Sequence, residues 1–253
     1  MLHDDDLSLD ALTAGVSVFQ RRKGHRFSSD DVVTAWVAMQ HRPEPIDVLD
    51  LGCGLGSVLL HVAWSAPASR LVGVEAQDVS FALLGRNIAH NSLGDRVTVH
   101  HGDLRDPQIT DALGGPFDLI TGTPPYFPES TATDALDRQR AYARIEYRGG
   151  IEAYVDTGAG LLADDGRLVL CGDADAEHRL DTSARISGLS VCGRYVVVPR
   201  AGRPPLFAVW VLCHGAATSS MTERTLTLRD EAGERTDDAK ALRAFSGFPE
   251  KTG

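Results

Sequence analysis

Ile46-Asp47-Val48-Leu49-Asp50-Leu51-Gly52-Cys53-Gly54-Leu55-Gly56-Ser57-Val58 sets the architecture of this chain. A short β-favouring run ends at Leu51, glycines follow at 52, 54 and 56, and Val58 to Trp64 continue as an apolar helix. A strand-to-helix turn of this kind lets a ligand approach bare backbone, and the helix start adds unpaired N–H donors. The dinucleotide pattern GxGxxG requires a glycine at 57, where the chain has Ser57. A pyrophosphate cradle is therefore not expected. A nucleoside cofactor without phosphate, such as S-adenosylmethionine (SAM), does not require that cradle.

Outward from this loop, strand and helix patterns alternate. Residues 28–41 read as a helix capped by Ser28 or Ser29, with Asp30 and Asp31 complementing its dipole. Strands are expected at 71–75, 97–100, 117–121 and 167–171, and helices at 79–91 and 150–162, the last closed by a turn at 164–166. Such alternation implies βαβ units and a parallel sheet. Residues 191–198 and 206–213 are β-rich with no helix between them, so they should form an antiparallel hairpin. The expectation is an α/β, Rossmann-like fold with seven strands, mostly parallel, ending in that hairpin, with helices on both faces. One domain is expected, with an N-terminal extension over residues 1–45, a core over 46–214 and a C-terminal extension over 215–253. That last part holds a strand near 225–229, a turn at Ala232-Gly233 and a helix at 237–245.

Composition narrows the class. The 253 residues carry a formal net charge of −10, with 43% hydrophobic and 24% charged residues, which suits a globular protein. The acidic balance opposes non-specific nucleic-acid binding but not a local basic patch. Arg21-Arg22-Lys23-Gly24-His25-Arg26 is one such cluster, and Arg194, Arg200 and Arg203 could form another. No apolar run reaches the roughly 18 residues that a bilayer requires, and the acidic start is neither a secretory nor a transit signal. Cys53, Cys171, Cys192 and Cys213 lack CxxC spacing. They read as reduced thiols of a cytoplasmic protein. The histidines show no metal-ligand spacing, so no metal is expected.

Acidic residues fall at the ends of successive strands, where open α/β sheets bind ligands. Asp50 could accept from the cofactor's ammonium, Glu75 from the ribose hydroxyls, and Asp103 from the adenine amine with the Leu104 N–H beside it. After the fourth strand comes Gly122-Thr123-Pro124-Pro125-Tyr126-Phe127. The prolines stiffen this loop, a loop carbonyl can accept from an amine, and an aromatic can stack on a flat ring.

DLGCGLG, Glu75 and the PPYF loop together resemble the class I amino-methyltransferases. Over most of its length the chain is similar to the bacterial tRNA adenine-N6 methyltransferases that modify valine tRNA beside the anticodon. Phe27 with Ser28 to Trp36 resembles their N-terminal segment over the cofactor. Ala143-Arg144-Ile145-Glu146 resembles their Ala-Arg-x-Glu element, Arg203-Pro204 falls in their basic hairpin, and 225–230 with Gly233 resembles their closing strand. The resemblance implies SAM as cofactor and a tRNA substrate. Thr123, Pro124, Pro125 and Tyr126 would then be the catalytic loop, with Gly52, Gly54, Gly56, Asp50, Glu75, Asp103, Leu104 and Phe27 at the cofactor. Phe127, Arg26, Arg144 and Arg203 would meet the acceptor. The family has Asn where this chain has Thr123, which opens the acceptor to a small molecule or a protein amine. Protein glutamine methyltransferases share the PPY loop but usually carry a sizeable N-terminal substrate domain, and DNA adenine methyltransferases a large target-recognition region. Two further alternatives are a SAM- or RNA-binding module without turnover and a dehydrogenase.

Overall fold

The computed structural model describes residues 3–128, 137–215 and 221–249. Asp47–Leu51 (β3) leads through the glycine loop into Ser57–Ser65 (α2), followed by Arg70–Glu75 (β4), Asp78–His90 (α3), Val97–His101 (β5), Pro107–Leu113 (α4) and Phe117–Gly122 (β6). Arg138–Arg144 (α5), Ile151–Leu161 (α6), Leu162–Gly172 (β7) and Glu177–Ile186 (α7) come next. Leu189–Val198 (β8), Phe207–His214 (β9), Thr222–Thr227 (β10) and Asp237–Phe245 (α8) complete the order. Ahead of all these lie Leu7–Ala11 (β1), Ser17–Arg21 (β2) and Ser29–His41 (α1).

The main sheet runs β10-β8-β9-β7-β6-β3-β4-β5. Only β9 is antiparallel to its neighbours, β7 and β8. The expected hairpin is therefore present, and the fold is the expected Rossmann-like α/β class. The strand number differs: among the described residues this sheet has eight strands, because β10 adds itself in parallel to the edge strand β8. Strand β7 also begins earlier than expected. Leu162 pairs with Phe117, then the register slips so that Leu119 meets Arg167. The expected turn at 164–166 is thus an irregularity inside the strand.

Period-2 alternation sorts the core into two layers. Phe207, Val209 and Val211 of β9 join the cluster containing α1, α2 and α3 residues, whereas Ala208, Trp210 and Leu212 join the cluster built on α6 and α7. A strand apolar on both faces belongs inside a sheet, which is where β9 lies.

The β1–β2 hairpin was not foreseen. Its free edge is held by two asparagines one helical turn apart on α3. Asn87 accepts from Phe19 N at 2.7 Å and donates to Phe19 O and Leu55 O; Asn91 accepts from Ser17 N and donates to Ser17 O. Side-chain amides thus take the place of a neighbouring strand, satisfying backbone groups that burial would otherwise orphan.

Candidate active site

The carboxyl ends of β3, β4, β5 and β6 surround a narrow cleft of about 90 Å³. Gly52, Gly54 and Gly56 all take positive φ, at 61°, 57° and 95°, a region glycine enters without Cβ strain. A Cβ on Gly52 would lie 2.1 Å from the Tyr154 hydroxyl, while one on Gly54 would meet nothing within 4 Å. The loop is therefore packed behind and open in front.

Glu75 binds the two loops together. Its carboxylate accepts from Gly54 N at 2.8 Å and Gln77 N at 2.6 Å. Burial pushes its carboxyl up, although those N–H groups and Arg148 act the other way. Each oxygen keeps a second lone pair for a ligand hydroxyl. Asp103, held by the Arg105 fork at 2.7 and 2.9 Å, stays below the ordinary carboxylate range. Leu104 follows it in the cleft wall.

Thr123 and Pro125 line this same cleft, and Pro124 is buried beneath it. The loop is fastened from behind: Phe127 N donates to Arg144 O and Glu146 N to Phe127 O, each at 2.9 Å. Glu146 is in turn gripped by Arg179 at 2.9 and 3.0 Å. The Ala-Arg-x-Glu stretch thus acts as a splint for the proline loop. Phe127 is 45% exposed at the rim.

Several expected positions lie elsewhere. Asp50 is not part of the cleft wall: it sits under the loop, 2% exposed, with Oδ1 accepting from Thr121 Oγ1 at 2.7 Å and Oδ2 without a hydrogen-bond partner among the described residues. Phe27 does not cover the cofactor cleft; it lines a separate apolar groove with Val32, Leu228 and Phe248. Tyr126 is also outside the cleft wall. It packs on the core, with its hydroxyl held by Asp30 and Cys171. Arg26 is committed to Asp10 and Ser8 within the hairpin, and Arg194 to Glu177 and Glu223. The side chains of Arg144 and Arg203 are exposed.

The sequence reading missed His25, Asp31, Ser57, Tyr142, Arg148 and Tyr154, all in the cleft wall. Arg148 lies over the Tyr142 ring at 4.8 Å, and its Nη1 has no hydrogen-bond partner among the described residues. Asp31 forms a capping box with Ser28; in the sequence it reads only as a complement to the helix dipole. Tyr154 and Arg148 belong to no spacing that sequence reasoning could use. Among the described residues there is no cluster of three or more metal-capable side chains, and no helix is long and apolar enough to cross a membrane.

An open glycine loop, a carboxylate on the next strand and a proline loop beside them meet in this one cleft. Residues 48–144 match the family described as "Methyltransferase domain". Solved structures share the fold: a predicted O-methyltransferase from Agrobacterium tumefaciens has a TM-score of 0.62 at 16% identity, covering 86% of this chain and 96% of its own. TYW2 of Pyrococcus horikoshii, in complex with MeSAdo, has a TM-score of 0.56 at 17% identity, covering 83% and 72%.

The sequence is also similar to bacterial tRNA1(Val) (adenine(37)-N6)-methyltransferases. One from Porphyromonas gingivalis is 33% identical over 132 residues, 52% of this chain and 51% of the relative. One from Actinobacillus pleuropneumoniae is 24% identical over 222 residues, covering 86% and 88%. A release factor glutamine methyltransferase from Chlorobaculum tepidum is 28% identical over 95 residues, 38% of this chain and 32% of that protein. The chain spans about half the length of the first of these relatives that it matches.

Proposed function

We propose that this chain methylates an amine nitrogen, and that the amine is the exocyclic N6 of an adenine in tRNA. The observation that carries the reading is the presence of Thr123 and Pro125 in one cleft with Gly52 to Leu55 and Glu75. The residues suit the cofactor: the space in front of Gly54 is open, and Glu75 is ready to accept further hydrogen bonds. When bound there, SAM supplies an electrophilic methyl group. Glu75 would accept from the ribose hydroxyls, and Asp103 with the Leu104 N–H would meet the adenine edge. The Thr123 hydroxyl and the Pro124 carbonyl would hold the acceptor amine with its lone pair directed inward, so that positioning lowers the barrier. No strong base is required, because the amine can lose its proton afterwards. A base in folded RNA must leave its stack to enter such a cleft. Phe127 at the rim and the exposed Arg144 and Arg203 would then face it. An RNA acceptor of this kind implies action in the cytoplasm.

The test is transfer of labelled methyl from SAM into total small RNA from cells lacking the protein, with nucleosides identified by mass spectrometry. Label in N6-methyladenosine from tRNA is expected, with loss in Thr123→Ala. A second reading, a protein or small-molecule amine acceptor, is favoured by the hydroxyl of Thr123 where the family resemblance implies an amide. Label in a protein or metabolite pool, with none in RNA, would establish it instead.

A further inference from the structure

One acid in the cleft has no cationic neighbour among the described residues. Glu75 accepts two backbone N–H bonds and feels Arg148, and Asp103 is held in the Arg105 fork. Asp31, on the first turn of α1, is 7% exposed and forms part of the cleft wall beside Cys53, Leu55 and Ser57. Its Oδ2 accepts from Ser28 N at 2.9 Å, and the Ser57 side chain also bonds to it. The charged neighbours that act on it are Asp30 and Asp50, both acids. A buried carboxylate without a cation is costly, and burial together with Asp30 pushes its carboxyl up to about 8. A cation arriving from the cleft removes that cost. Asp50, the other acid on this side, faces Thr121 and has no surface in the cleft.

We propose that Asp31 receives the ammonium of the amino-acid end of the cofactor, while Glu75 and Asp103 serve its nucleoside end. The inference rests on the SAM reading above and names the residue that fixes the orientation of SAM in the cleft. The α1 helix then supplies part of the binding site as well as packing over the sheet. The carboxylate and the ammonium form a charge-assisted hydrogen bond, with Ser28 N and Ser57 holding the carboxylate from behind.

The test is calorimetric titration with two ligands, S-adenosylhomocysteine, which keeps the ammonium, and 5′-methylthioadenosine, which lacks the whole amino-acid portion. Asn at position 31 still accepts from Ser28 N, so Asp31→Asn preserves the helix start. In Asp31→Asn, affinity for S-adenosylhomocysteine should fall about 10- to 100-fold while affinity for methylthioadenosine stays the same. Asp50→Asn should shift both ligands alike. An unchanged S-adenosylhomocysteine affinity in Asp31→Asn, or an equal loss for both ligands, would overturn the assignment. Failure of the unmodified chain to bind either ligand would instead overturn the cofactor reading beneath it.

Discussion

The phenol of Tyr126 donates to the Asp30 carboxylate at 3.2 Å, joining the proline loop to the first turn of α1. The phenol oxygen is also 2.7 Å from Cys171 Sγ on β7, which can donate in return. Three separate elements therefore meet at one hydroxyl. Asp30 braces the proline loop, and its neighbour Asp31 faces the cleft.

Tyr126→Phe keeps the ring and removes both bonds. The loop should lose its position while the cofactor cleft stays intact. We expect kcat for methyl transfer to fall about 10-fold, or ~1.4 kcal/mol, with S-adenosylhomocysteine affinity unchanged. Steady-state kinetics beside calorimetry separates the two effects; a parallel loss of cofactor affinity would show that the hydroxyl supports the cleft as a whole.

Glu75 has a larger predicted effect. Glu75→Ala removes the acceptor of Gly54 N and Gln77 N as well as the proposed ribose acceptor. With charge-assisted bonds each contributing about 1.5–3 kcal/mol, affinity for methylthioadenosine and S-adenosylhomocysteine should both drop by about 100-fold or more. Equal losses for the two ligands distinguish this residue from Asp31.

Asn87 should govern the N-terminal hairpin. It is fully buried and bonds Phe19 N, Phe19 O and Leu55 O. Asn87→Ala strands those backbone groups, at a cost of about 1–3 kcal/mol. Amide exchange should accelerate at residues 17–21 well before it does in β3 or β6. Uniform acceleration across the chain would refute a local role.

Asp50 should leave a signature in the pH dependence of stability. Burial raises its carboxyl from 3.8 to about 7, while the Thr121 hydrogen bond acts against that rise. The folded state therefore holds its proton more tightly than the unfolded state. This favours folding fully below about pH 4 and is lost as pH rises through about 7. Urea unfolding of the parent and Asp50→Asn between pH 4 and 8 isolates the effect: the stability difference should move in favour of the variant as pH rises. A difference that does not change with pH would mean that Asp50 is ionised in the folded chain.

The β3–glycine loop–α2 unit was legible because a short β-favouring run leads into three closely spaced glycines, all of which take positive φ. The β8–β9 hairpin was legible because two β-rich runs have no helix between them. The β1–β2 hairpin was not, because its inward positions include Gln20. That side chain is buried yet satisfied by Asp10 and Phe27 N, so no clean alternation appears. Helix α7 was missed for a similar reason: Leu180 and Ala184 are its only fully buried apolar residues. Of the cleft, Glu75 and Asp103 could be read, since the rule linking strand ends to ligands is topological, whereas Asp50 by the same rule turned out to lie under the loop. Arg148 and Tyr154 reach the cleft from later segments, through packing that no local pattern encodes.

The position of β9 also separates two stages of synthesis. The ligand-binding half of the sheet, β5-β4-β3-β6, is complete in sequence by Gly122. The outer half cannot close until residues 207–214 have left the ribosome, because β9 is the strand between β7 and β8. Until then β7 has an open edge and β8 has no neighbour on that side. During translation the nascent chain thus carries a unit with the glycine loop already paired, followed by an unpaired strand edge of the kind that invites association with other chains.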